Sequence, residues 1–224
     1  MKISEKLAKE NNRDYALRVI KENIINLELK PGSMISEQDI ANELNLSRTP
    51  VHEALQELSS TKIIQILPQR GSYVSLIDLA LVDEAIFLRS TIETAVAELA
   101  CEIADENDLN KMEENLNLQE FFLAKQNIQK LFDLDDSFHK NLYTITNKTQ
   151  CYQMIKLMNI HLDRIRELHL QSTNPTTVVN EHKNIFSALK NKDKDKVKTL
   201  LHTHLTKLYS QESEIKQKFA DYFE

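Results

Sequence analysis

Chain breakers are scarce in this sequence of 224 residues, which contains only two glycines and four prolines. Set against many Leu, Ile, Lys, Glu and Asn, that scarcity points to a mostly helical chain. Cysteine is almost absent too. Cys101 and Cys151 stand far apart with no CxxC, which excludes a disulfide framework and a zinc knuckle. No apolar run approaches the roughly 20 residues needed to cross a bilayer. The opening MKISEKLAKENNRDY lacks the apolar core of a secretion signal, so a cytoplasmic protein with no membrane partner is expected. An excess of basic charge is also missing. Residues 1–78 carry 10 Lys and Arg against 11 Asp and Glu, while residues 79–224 carry 18 against 23. The first part is near neutral and the second acidic, so a nucleic-acid surface must come from a local basic face, most effectively two copies of one.

What is present begins with SRTPVHEALQEL at 47–58. Ser47 suits an N-cap, and Val51, Ala54, Leu55 and Leu58 recur at helical spacing, leaving Arg48, Thr49, His52, Glu53 and Gln56 on the opposite face. Twelve such residues also describe an ordinary amphipathic surface helix, but the flanks favour a recognition helix. Leu17, Ile20, Ile24 and Leu27 predict a first helix over 10–29, ended by Lys30-Pro31-Gly32. Ser36 caps a short second helix with Ile40, Ala41 and Leu44 facing inward. After the third helix, Ile63–Leu67 and Ser72–Leu76 are β-prone runs joined by Pro68-Gln69-Arg70-Gly71. Three helices and a two-stranded ribbon in this order form a winged helix-turn-helix, with both glycines at its turns.

The stretch KPGSMISEQDIANELNLSRTPVHEALQELSSTKIIQILPQRGSYV resembles the DNA-binding domain of the GntR family of bacterial transcription regulators over about residues 12–77. That resemblance implies that Ser47, Arg48, Thr49 and His52 face DNA, and that Arg70-Gly71 forms a wing tip for the minor groove. The chain departs from the family pattern twice. His52 replaces a common Arg, which reduces the expected guanine preference there, and Thr61-Lys62 replaces a Gly before the wing.

From Asp78 onward the character shifts, with only Pro175 as a breaker and apolar spacing near 3.6. Helices are expected at about 78–104, 106–125, 127–147, 149–172, 175–191 and 193–220, with Asp78, Asn174 and Asp193 as caps. This predicts two domains, 1–77 and 78–224, the second an antiparallel all-α bundle of about six helices. Asp135 and His139 lie on the apolar stripe of Leu131, Leu134, Phe138 and Leu142. His182 shares a face with Ile185 and Leu189, and His204 with Leu201 and Leu205. Taken singly, each histidine reads as a hydrogen-bonded core residue. Together, four polar groups pointing inward would cost several kcal/mol unless a shared partner satisfied them. A divalent cation would do so, zinc first, with nickel, manganese or iron as alternatives.

D-x-x-F-H at 135–139, and E-H at 181–182 followed by H-x-H-L at 202–205, resemble the FCD effector-binding domain of the FadR-type branch of the GntR family, over about residues 79–215. That resemblance implies Asp135, His139, His182 and His204 as metal ligands, with His202 turned away. It further implies a homodimeric regulator, usually a repressor, bound to a palindromic DNA operator and controlled by a small organic acid. Four protein ligands around an octahedral ion leave room for the carboxylate of such an effector. Arg89 is the first candidate to neutralise it and Arg164 the second, although Arg89 could equally pair with Glu93 along its helix. Two other readings remain: a metal-dependent hydrolase, disfavoured because HExxH and a clear general base are missing, and a winged-helix interaction module with an inert core.

Overall fold

The computed structural model describes residues 1–172, 175–207 and 214–224, with side chains left aside at 170–172. The chain is mainly helical with one small sheet, and it separates into two compact units. The first comprises Met1–Val82 together with Ile160–Glu167 and Lys216–Glu224; the second comprises Asp83–Asn159 and Leu168–Ile215.

In the first unit α1 (Asn12–Ile25), α2 (Glu37–Leu44) and α3 (Arg48–Ser60) pack around a sealed core. Val19, Ile20 and Ile24 from α1 meet Val51, Ala54 and Leu55 from α3, all without solvent exposure. Asn11 and Ser36 cap α1 and α2 by accepting from Asp14 N and Asp39 N. Helix α1 stops at Ile25, a turn earlier than its apolar spacing predicts, because Leu27 adopts a left-handed φ of 59°. The wing consists of β2 (Ile64–Leu67) and β3 (Gly71–Val74), paired antiparallel. A third strand that the sequence did not disclose, β1 (Met34–Ile35), pairs antiparallel with the free edge of β3, giving the order β1-β3-β2. Gly71 takes φ 100°, which a side chain would resist.

The second unit is a helical bundle. It contains α4 (Leu79–Ile103) from Asp83 onward, α5 (Glu106–Ala124), α6 (Ile128–Ile145), α7 (Thr149–Met158), α9 (Thr176–Lys190) and α10 (Lys194–Thr206). Ala97, Ala100, Met112, Phe138, Leu142, Ile185 and Leu201 form its centre. Asp105 builds a capping box with Asp108, while Asn127 and Asp193 cap α6 and α10. The helix expected over 149–172 is two helices, since α7 closes on Asn159 and α8 (Ile160–Ser172) begins one residue later. The proposed cap Asn174 and residues 208–213 of the expected last helix lie outside the described residues.

Candidate metal centre and recognition helix

Three helices deliver one cluster to the bundle interior. Asp135 and His139 come from α6, His182 from α9 and His204 from α10, and one ligand atom from each lies within 4.8 Å of the others. The spacing of four residues on α6 stacks Asp135 above His139, as expected for neighbours on one helical face. The His204 Nε2 stands 3.3 Å from both His182 Nε2 and His139 Nε2, and Asp135 Oδ1 is 3.6 Å from His182 Nε2.

The other ring nitrogens explain why the cluster points inward. His139 Nδ1–H donates to Glu93 on α4, which also accepts from Arg89 Nε at 3.1 Å. His204 Nδ1–H donates to Glu181 Oε2 at 2.8 Å. His182 Nδ1–H donates to Gln119 Oε1 at 2.9 Å. The orientation of that amide is fixed from behind. Gln119 Nε2 donates to Asn115 Oδ1 at 2.7 Å, and Asn115 Nδ2 donates to the Leu134 carbonyl at 3.1 Å. A backbone acceptor thus sets the direction of the whole relay. Burial pushes the His139 imidazole below its ordinary pKa, and the Glu93 carboxylate opposes that shift only in part. Burial would raise Glu181, but hydrogen bonds from His204 and Lys207 hold it below the usual carboxylate range.

With Nδ1 as the donor, a neutral imidazole turns the lone pair at Nε2 toward the cluster, and three lone pairs converge. Two nitrogens bound to a common ion at about 2.1 Å, with angles between about 90 and 110°, stand about 3.0–3.4 Å apart. The observed 3.3 Å separations fit a divalent cation. Acceptors behind ligating histidines are the usual means of fixing ring orientation and raising basicity.

Arg89 is buried beside this cluster and paired with Glu93, so its Nε helps hold the acceptor behind His139. The reading of Arg164 as an effector ligand is corrected. Its side chain has no exposure, its Nη1 donates to Ser75 O at 2.6 Å, and its Nη2 reaches Leu76 O and His161 Nδ1. It clamps the chain leaving the wing inside the first unit. His202 is exposed, as its offset from His204 requires. Glu93, Gln119 and Glu181 escaped the sequence reading as site residues; the available signals were Glu93, four residues after Arg89 on an apolar face, and Glu181 in the E-H pair at 181–182.

In the first unit α3 presents Arg48, Thr49 and His52 to solvent. Ser47 occupies the N-cap position but makes no side-chain capping bond, contrary to the expected cap. Glu37 on α2 accepts from Arg48 Nη2 at 3.3 Å and from His52 Nδ1 at 2.8 Å. Arg70 and Gly71 sit at the exposed wing tip, where Tyr73 Oη donates to the Arg70 carbonyl. Lys62, where the family pattern has Gly nearby, adopts φ 62°, a conformation glycine reaches at no cost.

Comparison with known proteins decides what carries these two sites. Residues 15–74 match the model for bacterial regulatory proteins of the gntR family, and residues 84–207 match the FCD domain. The HTH-type transcriptional repressor RspR of Escherichia coli K12 is 33% identical over 92% of this chain and 91% of its own length. The chain belongs to the GntR family of transcription regulators, in the FadR-type arrangement with an FCD domain. An HTH-type regulator from an unstable DNA locus of Streptomyces ambofaciens is 30% identical over 95% of this chain and 89% of its own. Among solved structures, E. coli McbR/YncC aligns with a TM-score of 0.78 at 22% identity, covering 94% of this chain and 99% of that one, and supports the fold. This GntR member is therefore a DNA-binding transcription regulator and not an enzyme, which removes the hydrolase reading. No helix among the described residues is long and apolar enough to cross a membrane.

Proposed function

We propose that this regulator is a metal-dependent repressor whose operator binding is controlled by a small carboxylate. The winged helix, 1–77, binds a palindromic operator as a homodimer through Ser47, Arg48, Thr49, His52, Arg70 and Gly71. The FCD part, 78–224, holds a divalent ion, zinc first, through Asp135, His139, His182 and His204. The observation that carries this reading is the convergence of three Nε2 lone pairs whose Nδ1 partners are all fixed acceptors. Repression is supported by the repressor among the relatives.

When bound, the ion supplies a Lewis-acidic point to which carboxylate oxygens can attach. The protein's own groups do the rest. Glu93, Gln119 and Glu181 hold each ring by its Nδ1–H and aim its Nε2 inward, and Arg89 contributes positive charge beside the cluster. Dimeric winged helices read half-sites about one helical turn apart, so a small change in the separation of the two recognition helices breaks simultaneous contact.

The test uses the purified full-length protein. Elemental analysis should find about one divalent metal ion per chain, and gel shifts on a duplex selected from random sequences should show salt-sensitive, specific binding. A thermal-shift screen of organic acids should find a stabilising ligand whose effect disappears with chelator. Absence of stoichiometric metal after reconstitution would remove the sensing half of the proposal.

A further inference from the structure

We infer that Glu37 makes His52 a reader of base amino groups, favouring adenine or cytosine where an arginine would favour guanine. This rests on the reading of α3 as the recognition helix and adds what it recognises. Glu37 Oε1 lies 2.8 Å from His52 Nδ1, and its other oxygen is 3.3 Å from Arg48 Nη2. The His52 hydrogen bond, followed by that of Arg48, holds Glu37 below the ordinary carboxylate range, so Glu37 has no proton to give. The proton between Glu37 and the ring therefore belongs to Nδ1. A neutral imidazole has one N–H, so the remaining nitrogen, Nε2, is an acceptor. Gln56 Nε2, one turn along α3, stands 3.5 Å from it, on the acceptor side of the ring. The His52 side chain is 50% exposed, which leaves Nε2 within reach of a duplex.

In the major groove, adenine N6 and cytosine N4 offer hydrogens where guanine O6 and thymine O4 offer lone pairs. An acceptor at Nε2 gains a hydrogen bond from the first pair and meets lone-pair repulsion from the second. The expected preference is therefore amino over keto on one strand, degenerate between adenine and cytosine. The same tautomer has no proton for a phosphate oxygen, so His52 adds little sequence-independent grip. Arg48 gives Glu37 only one of its donors and keeps the rest for DNA.

The test selects duplexes from a random pool with the full-length protein at fixed salt and pH 8, above the ordinary imidazole range. The base position that loses preference in His52→Ala marks where the ring points, and four duplexes varied there are then titrated. Wild-type protein should prefer adenine or cytosine by roughly fivefold to thirtyfold. Glu37→Ala, which frees the ring to adopt either tautomer on an exposed helix start, should cut that ratio to under about threefold. His52→Arg should move the preference to guanine. A wild-type preference for guanine or thymine, equal binding to all four duplexes, or an intact amino preference in Glu37→Ala overturns the inference. Arg48→Ala separates the two failures. If it weakens binding while the His52 position behaves otherwise than expected, only the Glu37–His52 inference falls. If Arg48→Ala and His52→Ala both bind as wild type, the recognition-helix reading falls and takes the inference with it.

Discussion

Replacing Gln119 by leucine is the sharpest probe of the bundle site, because Gln119 acts on the cluster from behind, through the Nδ1 of His182. Its side chain is 1% exposed, accepts from His182 Nδ1 at 2.9 Å and donates to Asn115 Oδ1 at 2.7 Å. Gln119→Leu leaves a buried N–H and a buried carbonyl without partners, each costing about 1–3 kcal/mol, and the leucine methyls return about 1–2 kcal/mol. The metal-free protein should therefore lose up to about 5 kcal/mol, read as a fall in melting temperature of about 2–4 °C per kcal/mol for a chain of this size. The metal affinity should fall by about 10- to 100-fold, because the His182 ring loses the contact that fixes its tautomer and angle. Gln119→Glu keeps the acceptor for His182 and gives up only the donor to Asn115. A carboxylate behind the ring raises its basicity, so this variant should bind metal at least as tightly as wild type. Affinity is measured by competition with a chromophoric chelator, and circular dichroism confirms the fold. A folded Gln119→Leu protein that binds within threefold of wild type refutes the reasoning, as does equal loss in both variants.

Three further outcomes are expected. His182→Ala/His204→Ala protein should remain helical by circular dichroism, lose its metal by elemental analysis and stop responding to any organic acid that releases wild-type protein from DNA. Arg164→Leu, which strips partners from the Ser75 and Leu76 carbonyls, should destabilise the protein by about 2–4 kcal/mol in urea unfolding while leaving the metal content unchanged. His161, buried next to the Arg164 guanidinium, has its pKa lowered from 6.5 to about 4, by burial first and Arg164 second. Below 6.5 the unfolded chain takes up a proton that the folded chain refuses, so this site's contribution to stability falls as pH drops from about 6.5 to about 4, by up to about 3 kcal/mol. Urea titrations across that window should show a shallower pH dependence in His161→Gln, and an unchanged slope would refute the assignment.

Local signals in the sequence were legible where the physics is local, although the cap expected at Ser47 makes no side-chain bond. Ser36 and Asp193 each cap the helix whose first turn they precede, because a side chain three residues from its backbone partner needs no tertiary information. The histidines were legible through helical periodicity, which places them on buried faces before any fold is known. Strand β1 was not legible, since two residues are too short to show alternation and its partner Tyr73 lies 39 positions away. The break at Asn159 escaped because apolar spacing runs across it with no Gly or Pro to mark it. Arg164 was misread for a related reason. An arginine on an apolar helix face looks the same whether it awaits a carboxylate or clamps the carbonyls of Ser75 and Leu76, nearly ninety residues earlier. Gln119 and Glu37 were missed as partners because each meets its histidine only after folding.

One device recurs at both ends of this regulator, and burial decides what it does. His52, His139, His182 and His204 all donate Nδ1–H to a side-chain oxygen, from Glu37, Glu93, Gln119 and Glu181 respectively. In every case the consequence is an acceptor at Nε2. On α3 that acceptor sits at a half-exposed side chain with Gln56 Nε2 at 3.5 Å, open to a donor of better geometry. A base amine in a groove is such a donor, and the energy at stake is that of one exchanged hydrogen bond. In the bundle three such acceptors converge, His204 Nε2 standing 3.3 Å from each of the other two, with His139 and His182 closed to solvent. Bringing three lone pairs together without a donor costs several kcal/mol, which a cation converts into a gain. Removing the Phe138 ring, which stacks on His182 with ring centroids 4.2 Å apart, opens a cavity beside the cluster that water can enter and should weaken metal binding even though every ligand remains. Phe138→Ala protein that stays folded and keeps wild-type metal affinity would show that the lone pairs alone, and not their exclusion from water, set the strength of the site.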